Sequence, residues 1–191
     1  MMMLKLLALS ALAAADAVLA AADAVPTPSQ EFCADMYDTT LSNGTIVPQL
    51  VYNYTMCVSA SKTSWTRVDP KFGKLVFNGT HLITVSKAPR TGTTCEVTPT
   101  RSANPLEELP FTLLDVPADA TSAGAATVDG TACTEWRAAN VSFFVTATDE
   151  LARRDAAADG GATVVRNDFF ARGAYSRAVP ADAFATPPEC A

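Results

Sequence analysis

Apolar and polar residues alternate along much of this chain, and the alternation predicts β-strands. The clearest example is the stretch 50–58, in which every second residue is apolar: Leu50, Tyr52, Tyr54, Met56 and Val58. Successive side chains of a strand point to opposite faces of the sheet, so such a strand buries one face and turns the other to solvent. This interpretation places Asn53 on the solvent face, opposite the apolar row.

Further β-like runs follow, and Gly, Pro and Asp residues separate them. The runs are 64–68, 74–77, 81–86, 93–98, 111–116, 141–148 and 163–170. Closely spaced turn signals are typical of an antiparallel sheet rather than of β-α-β units. We therefore predict a mostly β protein with a single antiparallel curved sheet or half-barrel, stapled by disulfides, with a short helix as an open alternative in one segment.

That segment is 149–159, where two interpretations stay open. Thr148 or Asp149 could cap a helix that continues through Glu150, two arginines and the following alanines. The same residues could instead form a turn and a polar strand. Helix propensity favours the first interpretation, and the β-like runs on both sides favour the second.

The first 24 residues differ in character from the rest. Lys5 is the only charge before the apolar stretch 6–15, Asp16 then interrupts it, and small residues crowd the positions 20–24. This order of charge, apolar run and small residues is that of a secretory signal peptide, and the run is too short to span a bilayer. We predict a signal peptide at 1–24 and a single secreted, extracellular β domain at 25–191.

Four of the six asparagines stand in N-glycosylation sequons, which agrees with secretion. The acceptors are Asn43, Asn53, Asn78 and Asn140. A glycan must face solvent, so we expect all four side chains on the outside of the fold.

The chain has five cysteines: Cys33, Cys57, Cys95, Cys133 and Cys190. They form no C-x-x-C pair, so neither a zinc ribbon nor a thioredoxin-like motif is expected. An oxidising compartment favours two disulfides and one remaining thiol. The spacing leaves the pairing open. We predict the disulfides Cys133–Cys190 and Cys57–Cys95, in which Cys190 holds the proline-rich tail in place. Cys33 would then remain a free thiol or form an intermolecular disulfide.

Catalytic and metal-binding motifs are weakly supported. His81 is the only histidine, and the chain has neither a G-x-S-x-G elbow nor a glycine-rich nucleotide loop. We predict no enzyme, with a hydrolase using scattered carboxylates as the alternative. Calcium near Asp115, Asp119 and Asp129 lacks EF-hand spacing, so no metal and no cofactor is predicted. The formal net charge of −6 argues against nucleic acid as a partner.

Aromatic residues occur in most of the predicted strands, and they allow two interpretations. They can form the core of a sandwich or half-barrel, or they can line a pocket for an apolar ligand on a curved sheet. The pocket candidates are Tyr52, Tyr54, Trp65, Phe77, Phe111, Phe143 and Val145.

Several short motifs in the second half of the chain carry a family resemblance. They are Thr94-Cys95-Glu96, Leu109-Pro110-Phe111, the stretch 115–120, Trp136, the stretch 167–170 and the ending Pro187-Pro188-Glu189-Cys190. With these motifs, roughly half of the chain resembles the ependymin-related secreted glycoproteins and, more broadly, the eukaryotic relatives of the bacterial lipoprotein-carrier fold.

The resemblance implies an open antiparallel half-barrel with a hydrophobic pocket and a lipid-like ligand. Some members of the family it points to are associated with calcium. The resemblance also implies that Arg153 and Arg154 belong to the polar strand of a hairpin. We therefore expect a binding module whose partner is a hydrophobic small molecule or lipid, without a membrane span. The alternative is a structural or adhesive extracellular glycoprotein that contacts other proteins and binds no small ligand.

Overall fold

Twelve strands form one open antiparallel sheet in this computed structural model, which describes residues 24–28, 31–61, 63–88, 92–99, 114–170 and 175–191. The strands are β1 Phe32–Ser42, β2 Thr45–Val58, β3 Trp65–Asp69, β4 Gly73–Phe77, β5 His81–Ala88, β6 Gly92–Pro99, β7 Thr121–Val128, β8 Thr131–Ala138, β9 Val141–Thr146, β10 Leu151–Ala158, β11 Thr163–Asp168 and β12 Tyr175–Ser176. The predicted mostly β fold class is confirmed.

The sheet consists of two meanders joined in its middle. Its order is β6-β5-β4-β3-β2-β1-β11-β10-β9-β8-β7, and the short β12 also pairs with β1. Tight turns connect the neighbours. Asn43 and Gly44 between β1 and β2 have φ angles of 49° and 78°. Two positive φ angles in a two-residue loop match the right-handed twist of the flanking strands.

The ambiguous segment 149–159 is a strand, so the helical alternative is wrong. Its residues form β10, followed by a 3-10 turn at Asp159–Gly161. Arg153 and Asp155 lie opposite Asp168 and Arg166 of β11, and both cross-strand pairs are ion pairs. Cross-strand ion pairs and ladder hydrogen bonds outweigh the helix propensity of the alanines. The polar strand of a hairpin is therefore confirmed.

One face of the sheet carries the main hydrophobic core, and we call it the core face. Its members include register partners on neighbouring strands, because directly paired residues point to the same side. Phe32, Val58, Trp65 and Phe77 are such a row across four strands. The cluster contains Phe32, Ala34, Met36, Tyr54, Met56, Val58, Trp65, Phe77, Leu114, Val116, Ala120, Trp136, Phe143, Val145, Leu151 and Phe169.

The cysteine pairing differs from the prediction. The disulfides are Cys33–Cys57 and Cys95–Cys190, and Cys133 is a buried free thiol. The predicted number of two disulfides and one free thiol is confirmed, and so is a disulfide at Cys190. The predicted pairs Cys133–Cys190 and Cys57–Cys95 are wrong. The reason is strand register, since Cys33 and Cys57 are direct partners on β1 and β2. Register joins residues from distant strands, and cysteine spacing does not encode it.

Among the residues that the structure describes, no helix has the length and apolar character needed to cross a membrane.

Candidate functional site

A row of polar side chains crosses the core face beside the hydrophobic cluster. Asp38, Asn167 and Arg154 are register partners on β1, β11 and β10, two residues along β1 from the buried Met36. Phe143 on β9 continues the row and belongs to the core. The row therefore lies at the boundary between the filled part of the core face and the rest of that face.

Hydrogen bonds connect this row into a chain. The Tyr54 hydroxyl donates to Asp38 Oδ2 at 2.8 Å, and Asn167 Nδ2 donates to Asp38 Oδ1 at 2.9 Å. Arg154 Nη1 donates to Asn167 Oδ1 at 3.4 Å. Asn167 is thus held by the carboxylate on one side and turns its carbonyl oxygen to the arginine on the other.

Burial governs the electrostatics of the row. Desolvation raises the pKa of Asp38, and the hydrogen bonds from Asn167 and Tyr54 offset this only in part. Burial also raises the pKa of Tyr54, and the neighbouring Asp38 charge acts in the same direction, so the phenol keeps its proton at neutral pH. Desolvation lowers the pKa of Arg154, because a charged guanidinium is less favourable away from water.

A second arginine stands on the other side of Tyr54. The guanidinium carbon of Arg67 lies 3.9 Å from the centre of the Tyr54 ring, which is a cation–π contact. Its nearest described carboxylate is Asp69, with a nitrogen–oxygen distance of 3.9 Å. Asp69 also accepts hydrogen bonds from the backbone N–H groups of Lys71 and Phe72 at 2.8 and 3.2 Å. Asp69 therefore fixes the turn between β3 and β4.

That turn borders a cavity of about 190 Å³ beside Arg67. The cavity is lined by Arg67, Asp69, Phe72, Gly73, Lys74, Leu75, Thr84, Val85 and Ser86. Arg67, Leu75 and Thr84 are register partners across β3, β4 and β5, which places the cavity on the core face. A Cβ atom at Gly73 would lie 1.9 Å from the Val85 carbonyl oxygen, so only glycine fits between these strands.

Apolar side chains are exposed next to the cavity and the polar row. Phe72 is 65% exposed, Val165 41% and Tyr52 40%. Tyr52 is the register partner of Asp38, and Val165 lies on the core face because it precedes Asn167 by two residues on β11. We call Tyr52, Phe72, Val165 and the 190 Å³ cavity the open part of the core face.

Of the predicted pocket residues, Tyr54 and Val145 are core members that also border cavities, and Tyr52 is exposed. Trp65, Phe77 and Phe143 are buried in the hydrophobic core. Tyr52 borders a 480 Å³ groove with Phe72, Tyr54 a 170 Å³ cavity, and Val145 is buried beside a 470 Å³ cavity that residues 24–27 help to line. Phe111 lies outside the described residues.

Sequence reasoning missed Arg67, Phe72, Arg154 and Asn167 as members of the site. The family resemblance placed Arg153 and Arg154 on a polar strand, but two adjacent arginines do not indicate which of them faces the core. Asn167 carried the best available signal, because it is the middle residue of the polar triplet 166–168 that interrupts the β-branched and aromatic run 163–170. A polar residue at a core-facing position of a strand is unusual, and it indicates that neighbouring groups satisfy its hydrogen bonds.

The glycosylation sequons occupy different environments. Asn43, Asn78 and Asn140 are exposed at turns, whereas Asn53 is half-buried and its Oδ1 atom has no hydrogen-bond partner among the described residues. Asn53 lies on the face opposite Tyr52 and Tyr54, as the alternation predicts. Attachment of glycans stays a prediction.

The three aspartates weighed for calcium are exposed, and Asp129 forms an ion pair with Arg153 at 3.7 Å. No group of three or more His, Cys, Asp or Glu side chains in the described ranges is arranged to hold a metal ion.

Comparison with known proteins gives a distant likeness. No family model and no curated protein matches the chain. A LolA superfamily protein, NE2245 from Nitrosomonas europaea, has a TM-score of 0.34 and 12% identity over 90% of this chain and 97% of that chain. A DUF1329 family protein from Desulfovibrio piger has a TM-score of 0.27 and 9% identity over 78% of this chain and 84% of that chain. Scores of this size identify no family, and the ependymin-related identity stays a prediction.

Proposed function

We propose that the protein is a secreted, N-glycosylated extracellular binding module that holds an apolar, lipid-like ligand on the open part of the core face. The observation that carries this proposal is the exposure of three apolar side chains on the core face. Phe72 lines the 190 Å³ cavity and shares a groove with Tyr52, and Val165 lies two strands from Tyr52 on the same face. Exposed apolar side chains that share one face beside a cleft are typical of binding surfaces, because a ligand can remove them from water together.

The physical driving force is the burial of this apolar surface. Removing apolar area from water contributes about 25 cal/mol per Å². The polar row supplies hydrogen-bonding groups at one border of the apolar patch, and such groups orient a ligand. The ligand class is therefore an apolar body with, at most, a small polar end.

Secretion rests on sequence features together with the cysteine chemistry. Two disulfides are compatible with an oxidising compartment, and three of the four sequon asparagines are exposed at turns. The signal-peptide pattern of residues 1–24 points the same way.

The experiment is a titration with dodecanol, followed by native mass spectrometry, on the wild type and two matched variants. Val165→Asp introduces a charge on the core face. Val97→Asp introduces the same charge at a similarly exposed position, 49% against 41%, on the opposite face. A ligand covering position 165 would bury the new carboxylate, so Val165→Asp should weaken binding by about 10-fold or more and Val97→Asp should not.

Two results would contradict the proposal. One is a wild type that takes up no dodecanol, and the other is an equal loss of binding in both variants. The second would place the ligand elsewhere or attribute the loss to general destabilisation.

The alternative of a structural or adhesive glycoprotein loses one of its supports. It relied on a leftover Cys33 for an intermolecular bridge, but Cys33 is bonded to Cys57 and the free Cys133 is buried. We propose a binding protein rather than an enzyme, because no catalytic set was found in the sequence and His81, the one histidine of the chain, lies at the start of β5 beside an exposed turn.

A further inference from the structure

Arg154 differs from every other arginine in the described residues. Each of the others has a carboxylate oxygen at 3.9 Å or less: Arg67, Arg137, Arg153, Arg166 and Arg177. Arg154 forms no ion pair with a described carboxylate, and the neighbouring Asp155, which is paired with Arg166, acts on its charge only from a greater distance. The only hydrogen bond of Arg154 among the described residues is the 3.4 Å contact from Nη1 to the neutral amide oxygen of Asn167.

The position of this guanidinium makes the lack of a carboxylate costly. Arg154 is half-buried on the core face, between Asn167 and Phe143 in the cross-strand register. Its Nε atom is buried and has no hydrogen-bond partner in the described part of the chain. A buried donor without an acceptor loses its water contacts and gains nothing in exchange. Arginine does not escape this cost by losing its proton.

Asp38 lies on the same polar row but does not serve as the counter-ion. Its two oxygens accept from Tyr54 and Asn167, and Asn167 stands between Asp38 and Arg154. Because Asn167 Nδ2 is committed to Asp38, its carbonyl oxygen faces the arginine. The network thus orients Arg154 and leaves its charge unpaired.

The surroundings of Arg154 suit an amphiphile. Val165 is the register partner of Ala156, which follows Arg154 by two residues on β10. Tyr52 lies three strands away on the same face, or roughly 14 Å at the usual strand spacing. An anion on the guanidinium would therefore have exposed apolar side chains within the reach of an attached chain.

We infer that Arg154 binds the anionic head group of an acidic amphiphile whose apolar chain lies over Val165 and Tyr52. This inference rests on the proposed function and adds the chemical class of the ligand. A carboxylate and a phosphate both match the planar fork of a guanidinium, so either head group satisfies the site.

The test compares three ligands with the same tail: dodecanoate, dodecyl phosphate and dodecanol. They are titrated against the wild type, Arg154→Gln, Arg154→Lys and the control Arg137→Gln. Arg137 is exposed and lies on the face opposite the core. Arg154→Gln should weaken binding of at least one anion by about 10- to 100-fold, as expected for the loss of a charge-assisted hydrogen bond. Its affinity for dodecanol should stay unchanged.

Arg154→Lys keeps the charge and should retain most of the preference for an anion over dodecanol, and Arg137→Gln should bind all three ligands like the wild type. The ligand with the larger loss identifies the head group as carboxylate or phosphate. The inference is wrong, while the proposed function stands, if Arg154→Gln binds both anions as tightly as the wild type does. It is also wrong if the variant loses as much affinity for dodecanol as for the anions. If the wild type takes up no dodecanol, the proposed function itself is wrong, whatever the variants show.

Discussion

Cys33 and Cys57 are direct partners across β1 and β2, with their Cα atoms 4.0 Å apart and a disulfide between them. The same two strands carry Asp38, Tyr52 and Tyr54 further along. The disulfide therefore fastens the ends of the strands that present the candidate site. If β2 slipped by one residue along β1, Tyr52 and Tyr54 would move to the face opposite Asp38, and the covalent link opposes this slip.

Removing this disulfide should lower the stability of the fold. The bond closes a loop with a sequence separation of 24, and the loop-entropy model gives roughly 3 kcal/mol for such a loop. Urea unfolding of Cys33→Ser/Cys57→Ser should show this loss in the free energy of unfolding. Cys133→Ala is the control, because it changes a cysteine that forms no disulfide and places no hydroxyl among the apolar neighbours of that buried position. Equal stability of the double variant and the wild type would contradict the assignment.

The free thiol should be found at Cys133 and should be protected in the folded state. Cys133 packs with Val128 and Ala152, so a reagent in solution does not reach its sulfur. Burial also raises the pKa of the Cys133 thiol, which disfavours the reactive thiolate. Without reduction, iodoacetamide should leave the native protein unmodified and should add one group to the Cys133 peptide in denaturant. Modification of the Cys190 peptide under these conditions would show that the Cys95–Cys190 bond is absent.

Asp38 should make the stability depend on pH in a defined direction. Burial raises its pKa in the folded state above 3.8, so the folded protein holds this proton more tightly than the unfolded chain. Stability therefore falls as the pH rises from the ordinary aspartate pKa of 3.8 through the higher pKa of the folded state, and the penalty persists above it. The asparagine of the Asp38→Asn variant cannot ionise, so the free energy of unfolding of this variant lacks this pH-dependent contribution.

Urea unfolding of the wild type and Asp38→Asn at a series of pH values measures the difference. As the pH falls through the window just above 3.8, the wild type should gain stability relative to the variant. Asp168 is present in both proteins and its contribution cancels in the comparison. A difference that stays constant with pH, or changes in the opposite direction, would contradict the burial of the Asp38 carboxylate.

Gly73→Ala should be far more harmful than alanine at a glycine with open surroundings. Its φ is 120° and a new Cβ would meet the Val85 carbonyl at 1.9 Å, whereas Gly44, with φ 78°, has nothing within 4 Å of a new Cβ. Positive φ alone costs about 1–2 kcal/mol for alanine, which is the expected loss for Gly44→Ala. Gly73→Ala should exceed it in thermal unfolding because β4 and β5 must separate. Equal losses would contradict the close approach of these strands.

The fold could be predicted further than the site. Alternation over 50–58 identified β2 and one face of it, and Tyr54, Met56 and Val58 of that face do lie in the core. Leu50 and Tyr52 follow the same pattern but are each 40% exposed. Alternation describes which residues share a face, and it carries no information on whether anything covers that face.

Strands β1, β7 and β8 were not among the predicted runs, and the predicted run 111–116 is not a strand over its described residues 114–116. Register accounts for the differences in the core, the disulfides and the site. Trp65 and Phe77 are core residues because register aligns them with Phe32 and Val58, and register also selects the disulfide partners. Arg154 faces the core and Arg153 does not, which depends on how β10 pairs with β9 and β11. These are properties of contacts between distant segments, so local sequence patterns do not determine them.

Photoaffinity labelling with a diazirine-bearing dodecanol, followed by peptide mapping, tests the central claim most directly. If the ligand lies on the open part of the core face, labelling should saturate, should be displaced by plain dodecanol, and should fall on the peptides of Tyr52, Phe72 and Val165. Labelling that dodecanol does not displace, or that falls on Val97 of the opposite face instead, would contradict a ligand site on the core face.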